Sequence, residues 1–270
     1  MYQVHMNIEE IDAQNPNLPA DIAVISADSY QDALQKVIDV SSLDLDISLV
    51  VWQGAGDLVP DDIREALKMP SQKITRSNFN IASQYKVEPN KAVLLPIAMH
   101  EDLQSHFDKM NDKAARFGQT VIDDIHAKAL TAHVQELCAA FNAHSDVQEY
   151  KRLDRFQTCN VQVFFHRDRH NKFETCRVIR NLEGAGTIFM EEKNIGGVGH
   201  GGALCLNSWK EATGWMLRPY DMAFMLPTAK GGIGHTWPSK DLNAALFSSQ
   251  AQRHFESIDI TTAAPIFKPR

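Results

Sequence analysis

Across residues 120–143 the apolar side chains Ile122, Ile125, Ala129, Leu130, Val134, Leu137, Cys138 and Phe141 recur at three- and four-residue spacing. That periodicity predicts one long helix with a single buried face. Near residue 146 the texture changes to short β-rich runs separated by glycine and proline. A chain that is helical before such a boundary and β-rich after it belongs to the α+β class. Further helical patterns cover 30–40, 61–68 and 101–117, with strand-like runs at 22–26 and 47–52. Beyond the boundary the candidate strands are 156–165, 175–181, 187–191, 203–207, 222–226 and 255–260, spaced as in a barrel or sandwich. The expected architecture is a mainly helical region, 1–145, packed on a β-barrel region, 146–270. No Gly/Ser- or Pro-rich linker divides them, so one integrated domain is expected.

Composition narrows the partners. Lys and Arg number 27 against 34 Asp and Glu, a net charge of −7, which supplies no broad basic field for nucleic acid. No apolar run reaches the roughly 20 residues of a membrane helix, and the N-terminus shows no signal-peptide pattern. A cytoplasmic location is expected, with no nucleic-acid or membrane partner. The four cysteines form no C-x-x-C pair, which argues against a disulfide framework and a zinc ribbon. Cys159 and Cys176 fall in predicted strands, where a small buried hydrophobe is the usual role.

The segment Phe165-His166-Arg167-Asp168-Arg169-His170 lies where a strand runs out into a polar loop. Residues i and i+2 of a strand project to one side, so His166 and Asp168 can converge. A second histidine would complete a 2-His-1-carboxylate facial triad, the set that holds non-haem Fe(II) and leaves positions open. His235, in Gly231-Gly232-Ile233-Gly234-His235-Thr236-Trp237-Pro238, is the candidate. The alternative is a charged, solvated strand end, with the histidines as polar core residues. His170 shares the face only if the strand continues. The run Gly196-Gly197-Val198-Gly199-His200-Gly201-Gly202 lacks the Lys-Ser/Thr and helix of a P-loop and reads as a hairpin with His200 facing solvent. G-x-S-x-G and H-E-x-x-H are absent. Arg152, Arg155, Arg167 and Arg169 read as surface charge.

In order and approximate spacing, Arg152-Leu153, Cys159, Phe165-His166-x-Asp168, Arg177, Gly184-x-Gly186-Thr187, His235, Arg253 and Asp259 resemble the bacterial family catalogued as domain of unknown function 1826. The same residues are similar to the double-stranded β-helix (jelly-roll or cupin-like) barrel of Fe(II)/2-oxoglutarate oxygenases. That likeness implies a metal, Fe(II) or else zinc, on His166, Asp168 and His235, with Arg253 holding 2-oxoglutarate as co-substrate. Along 253–260, read as a late strand, Arg253, Phe255, Ser257 and Asp259 share a face. Asp259 lies roughly 20 Å from Arg253 at strand rise, too far to pair with it. An external anion, or exposure of Arg253 to solvent, must then satisfy the charge. The expected function is a metal-dependent oxygenase acting on an unknown small-molecule or peptide substrate. The alternative is a non-catalytic barrel binding a metal or small ligand.

Overall fold

The computed structural model describes residues 6–43, 46–58, 61, 79–86, 95–115, 124–159, 164–168, 174–208, 211–227, 232–247 and 252–267. In the first part of the chain lie β1 (Asn7–Glu10), β2 (Ile22–Ile25), α1 (Tyr30–Ser42), β3 (Leu49–Trp52), β4 (Phe79–Lys86), α2 (Leu95–Ala115) and α3 (Asp124–Asn142). Then follow β5 (Val147–Thr158), β6 (Thr175–Glu183), β7 (Ile188–Met190), β8 (Ile195–Val198), β9 (Leu204–Leu206), β10 (Thr213–Met216), β11 (Met222–Met225), β12 (Gly234–Thr236) and β13 (Gln252–Thr262). No helix among the described residues is long and apolar enough to cross a membrane.

The larger sheet has the order β2-β3-β11-β6-β13-β5-β4 and the smaller one β1-β10-β7-β12, while β8 and β9 form a separate hairpin. From β5 onward the chain winds between them. It passes from β5 in the larger sheet to the His166 segment bridged to β12, back to β6, over to β7 and β10, back to β11, over to β12, and ends on β13. That wind is a double-stranded β-helix, a two-sheet jelly roll. Leu49, Val51, Ile179, Ala223 and Met225 of the larger sheet meet Phe189 and Trp215 of the smaller one in a shared core.

The first part of the chain holds more strand than expected, since β1 and β4 join β2 and β3, which take up the strand-like runs at 22–26 and 47–52. Strands β1 to β4 belong to it, and they extend both sheets: β2 and β3 add to one edge of the larger sheet, β4 to the other, and β1 to the smaller. β3 reads Leu-Val-Val-Trp and is buried throughout, as a strand covered on both faces must be. The helices lie over the opposite face of the larger sheet from the barrel. Leu34 and Val37 of α1, Leu103 and Phe107 of α2, and Val134, Leu137, Cys138 and Phe141 of α3 pack with Trp52, Val178, Phe224 and Ile258. Ser29 caps α1 by accepting from the Asp32 amide at 3.1 Å. Asn142 Oδ1 accepts the Val147 amide at 2.7 Å, so the chain enters β5 well before residue 156, where the sequence pattern placed its start. Residues 62–68, 116–117, 120–123 and 160–163, parts of predicted elements, lie outside the described residues.

A charged network sits between this face and the helices. Arg152, expected at the surface, is fully buried. Its Nε donates to Asp154 Oδ2 at 2.7 Å and its Nη2 pairs with Glu256 Oε1 at 2.9 Å. Arg180 answers Glu256 Oε2 at 3.0 Å, and His106 and His254 reach the two oxygens of Asp154 at 2.6 and 2.8 Å. His133 completes the set between Glu256 and the Tyr30 hydroxyl. Two arginines thus balance two carboxylates, and the strong pairing holds both carboxyls below their ordinary range against the effect of burial.

His133 carries a pH dependence. Burial first, then Arg180, push its pKa down to about 4, against about 6.5 in an unfolded chain. Between these values the unfolded state binds more protons, so stability is full above pH 6.5 and falls as pH drops toward 4. This group contributes about 3 kcal/mol of that loss. Urea unfolding of His133→Gln should show a flatter decline across this window than the parent; equal slopes would exclude His133 as the source.

Candidate metal centre

His166 and His235 face each other across an antiparallel bridge, the amide of each donating to the carbonyl of the other at 3.0 and 2.9 Å. The pairing sets their ring centroids 4.4 Å apart. His166 Nδ1 lies 3.1 Å from the Phe164 carbonyl and His235 Nδ1 lies 3.2 Å from that of Ile233. A carbonyl only accepts, so each Nδ1 carries a hydrogen, and Nε2 is the atom each ring would offer to an ion. Both Nε2 atoms turn toward Asp168, at 3.2 Å for His235 and 3.7 Å for His166. The ligand atoms of the three residues lie within 4.8 Å of one another. Two imidazoles held on one antiparallel bridge and a carboxylate two residues beyond match the donor set of a facial triad.

His166 and Asp168 are shifted in opposite ways by what surrounds them. Burial, followed by the nearness of His235, holds the His166 pKa below its ordinary value, so the ring is neutral and can donate its lone pair. Burial opposes ionisation of Asp168, but its contacts with His235 and Arg177 outweigh that and hold the carboxyl well below the usual range.

The three residues open into a cleft of about 450 Å³, counted out to its mouth, whose walls include Arg155, Arg177, Thr187, Trp237, Arg253 and Phe255. Arg253, Phe255, Ser257 and Asp259 share one face of β13, as the alternation requires, and all but Asp259 line the cleft. Arg253 is 2% exposed, so it does not point to solvent. Its Nη2 donates to Thr187 Oγ1 at 3.4 Å, its guanidinium lies 5.0 Å from the Phe255 ring centre, and Nε and Nη1 have no hydrogen-bond partner among the described residues. Burial pushes its pKa down to about 9, which leaves it charged at neutral pH. Asp259 is taken by Arg177, whose Nε and Nη2 donate to it at 2.6 and 2.7 Å.

Several lining residues had no sequence signal of their own. Arg155, read as surface charge, is half-buried in the cleft with its guanidinium 5.9 Å from the Trp237 ring centre. Arg167 is half-buried and paired with Glu192. Arg177 and Asp259 lie 82 positions apart, and only strand pairing brings them together. His200 is exposed on the turn joining β8 and β9, Cys159 and Cys176 are buried, and Arg169 and His170 lie outside the described residues.

A scan against family models returned no match, so the resemblance to domain of unknown function 1826 has no support there. A search of curated proteins also returned none. Among solved structures, the chain is similar to a dioxygenase for auxin oxidation in rice, at 10% identity and TM-score 0.41, covering 90% of this chain and 83% of that one. It is similar to a Pseudomonas putida prolyl-4-hydroxylase at 11% identity and TM-score 0.39, covering 86% and 100%. A third is the Fe(II)/(alpha)ketoglutarate-dependent dioxygenase TqaL, at 10% and 0.37, covering 87% and 90%.

The electrostatics predict the titration of the site. By NMR the His166 ring should titrate below the ordinary histidine value of about 6.5. In Asp168→Asn, which loses the carboxylate that favours the charged ring, it should titrate lower still. A midpoint above the ordinary value would contradict the buried, neutral assignment.

Proposed function

We propose that this protein is a metal-dependent oxygenase of the Fe(II)/2-oxoglutarate type, with His166, Asp168 and His235 as metal ligands and Arg253 as the co-substrate anchor. The observation that carries the reading is the placement of an unsatisfied, buried guanidinium in the same cleft as a 2-His-1-carboxylate set. An orphaned charged donor at that depth costs several kcal/mol unless an anion meets it, and a carboxylate fits the guanidinium fork. The residues therefore fit both groups. Bound Fe(II) would supply the redox chemistry that couples oxidative decarboxylation of 2-oxoglutarate to oxygenation of a second substrate.

The remaining work belongs to the chain. Arg253, its guanidinium over the Phe255 ring, orients the distal carboxylate of the co-substrate. The Nδ1–H bonds to Phe164 and Ile233 carbonyls fix both imidazole planes, so ligand geometry is set before anything binds. Trp237 and Phe255 keep water from the wall of the cleft, which limits wasteful side reactions. Thr187, Thr236 and Ser257 are the neutral polar groups of the lining.

Anaerobic titration should show about one equivalent of Fe(II) bound, lost in His166→Ala and in Asp168→Ala. Calorimetric titration of 2-oxoglutarate into the metal-loaded protein should weaken by about thirtyfold or more in Arg253→Ala, the worth of a charge-assisted pair. Unchanged metal content in both ligand variants would overturn the metal assignment. Equal 2-oxoglutarate affinity in Arg253→Ala would remove the anchor, and metal uptake without 2-oxoglutarate binding would point to the non-catalytic barrel.

A further inference from the structure

Arg155 of β5 is the direct antiparallel partner of Phe255 on β13, and Leu153 is the partner of Ser257. All four line the cleft. Sheet register, and not the reach of a flexible side chain, therefore commits Arg155 to the same face of the sheet as Arg253. Its guanidinium lies 5.9 Å from the Trp237 ring centre, and that ring lies 6.0 Å from the ring of His166. The Arg155 charge acts on both Asp168 and His166, so it stands within electrostatic reach of the candidate ligands. Arg253 is 2% exposed, whereas Arg155 and Trp237 are half-buried. One guanidinium of the cleft is closed off and the other still meets solvent.

Among the described residues that line the cleft, Arg155, Arg177 and Arg253 are cationic and Asp168 is the one carboxylate. Asp259 pairs with Arg177 from outside the lining. These groups leave an excess of one positive charge. A dication on His166, Asp168 and His235 and a dianionic co-substrate cancel each other, so loading the site leaves that excess in place. We propose that Arg155 is a substrate-binding residue and that the second substrate is a small carboxylic acid, its carboxylate on Arg155 and its apolar body along Leu153, Trp237 and Phe255. The proposal rests on the oxygenase reading above. A guanidinium has five donors, and Arg177 serves two carboxylates at once in this same cleft, so hydrogen bonds to the protein do not prevent Arg155 from taking a ligand. A cationic substrate would meet like charge and be rejected. The volume of about 450 Å³ falls at the small end of ligand pockets, roughly 300–1,000 Å³. The co-substrate takes part of it, and the remainder suits a small molecule better than a peptide.

The test measures binding by calorimetry to protein loaded anaerobically with Fe(II) and 2-oxoglutarate. The probes are hexanoate and phenylacetate, each beside its uncharged amide. At least one acid should bind about tenfold or more tightly than its amide, the worth of a charge-assisted pair. Arg155→Gln should reduce that preference to within about twofold while metal content stays at wild type and 2-oxoglutarate affinity within about threefold. Arg155→Met keeps the packing of the side-chain stem and carries the test where Arg155→Gln does not fold. Arg155→Lys keeps the charge without the fork and should retain part of the preference.

Failure of both acids to bind, or equal binding of acid and amide in wild-type protein, overturns the acid class. A preference that survives Arg155→Gln puts the carboxylate elsewhere and overturns the role of Arg155. A loss of about tenfold in 2-oxoglutarate affinity in Arg155→Gln also overturns it, since the residue would then belong to the co-substrate. Each of these outcomes leaves the oxygenase reading standing. Wild-type protein that takes up no Fe(II), or takes it up without binding 2-oxoglutarate, overturns that reading and the acid substrate together.

Discussion

Along β13 the pleat sends neighbouring residues to opposite sides of the larger sheet, and both sides demand charge neutralisation. His254 and Glu256 turn toward the helices, where Asp154, Arg152, Arg180 and His133 meet them. Arg253 and Asp259 turn toward the barrel, Arg253 into the cleft and Asp259 onto Arg177. A register slip of one residue would exchange the two sets. Glu256 would enter the barrel without its arginines, and Arg253 would meet the helices beside Arg152 and Arg180. Each buried charge left uncompensated costs several kcal/mol, so the network behind the sheet fixes the position of every functional residue in front of it.

The candidate metal centre inherits this rigidity. His166 and His235 stand on a hydrogen-bonded bridge, and Asp168 follows two residues after His166. Arg177 comes from β6 and Arg253 from β13, strands paired along most of their lengths. Ligands carried by paired strands hold position better than ligands on loops. Close packing adds to this where the chain crosses between sheets. A Cβ on Gly186 would lie 1.7 Å from the Leu217 carbonyl oxygen, so the turn from β6 to β7, which brings Thr187 beside Arg253, admits no side chain there.

Local patterns in the sequence mark the parts of this arrangement that local physics controls. The shared face of Arg253, Phe255, Ser257 and Asp259 depends only on strand geometry, and it holds, whereas His166 and Asp168 converge although only His166 makes a β-bridge. The buried face of α3 follows from helical periodicity at Val134, Leu137, Cys138 and Phe141. β1 and β4 were not legible, because Asn7–Glu10 and Phe79–Lys86 are polar edge strands whose identity comes from the partners they join. Arg152 and Arg155 look alike in a sequence, two charged residues three apart. Their opposite placements follow from the pleat of β5, whose register depends on β13 more than a hundred positions later.

Arg177 and Arg253 divide the electrostatic roles by how they are satisfied. Arg177 has its donors engaged by Asp168 and Asp259, so it adds order to the site but offers little to a ligand. Among the described residues Arg253 donates to a threonine hydroxyl and faces an aromatic ring while Nε and Nη1 have no hydrogen-bond partner, and burial has already removed its water. A carboxylate arriving there meets a donor whose desolvation was completed on folding, so the pairing energy appears almost entirely as affinity. The stability lost by leaving Arg253 unmatched would be recovered on binding an anion. A residue placed this way only weakens the fold until a ligand arrives, and that asymmetry between Arg253 and Arg177 is the strongest physical reason to read the cleft as a receptor for an acid.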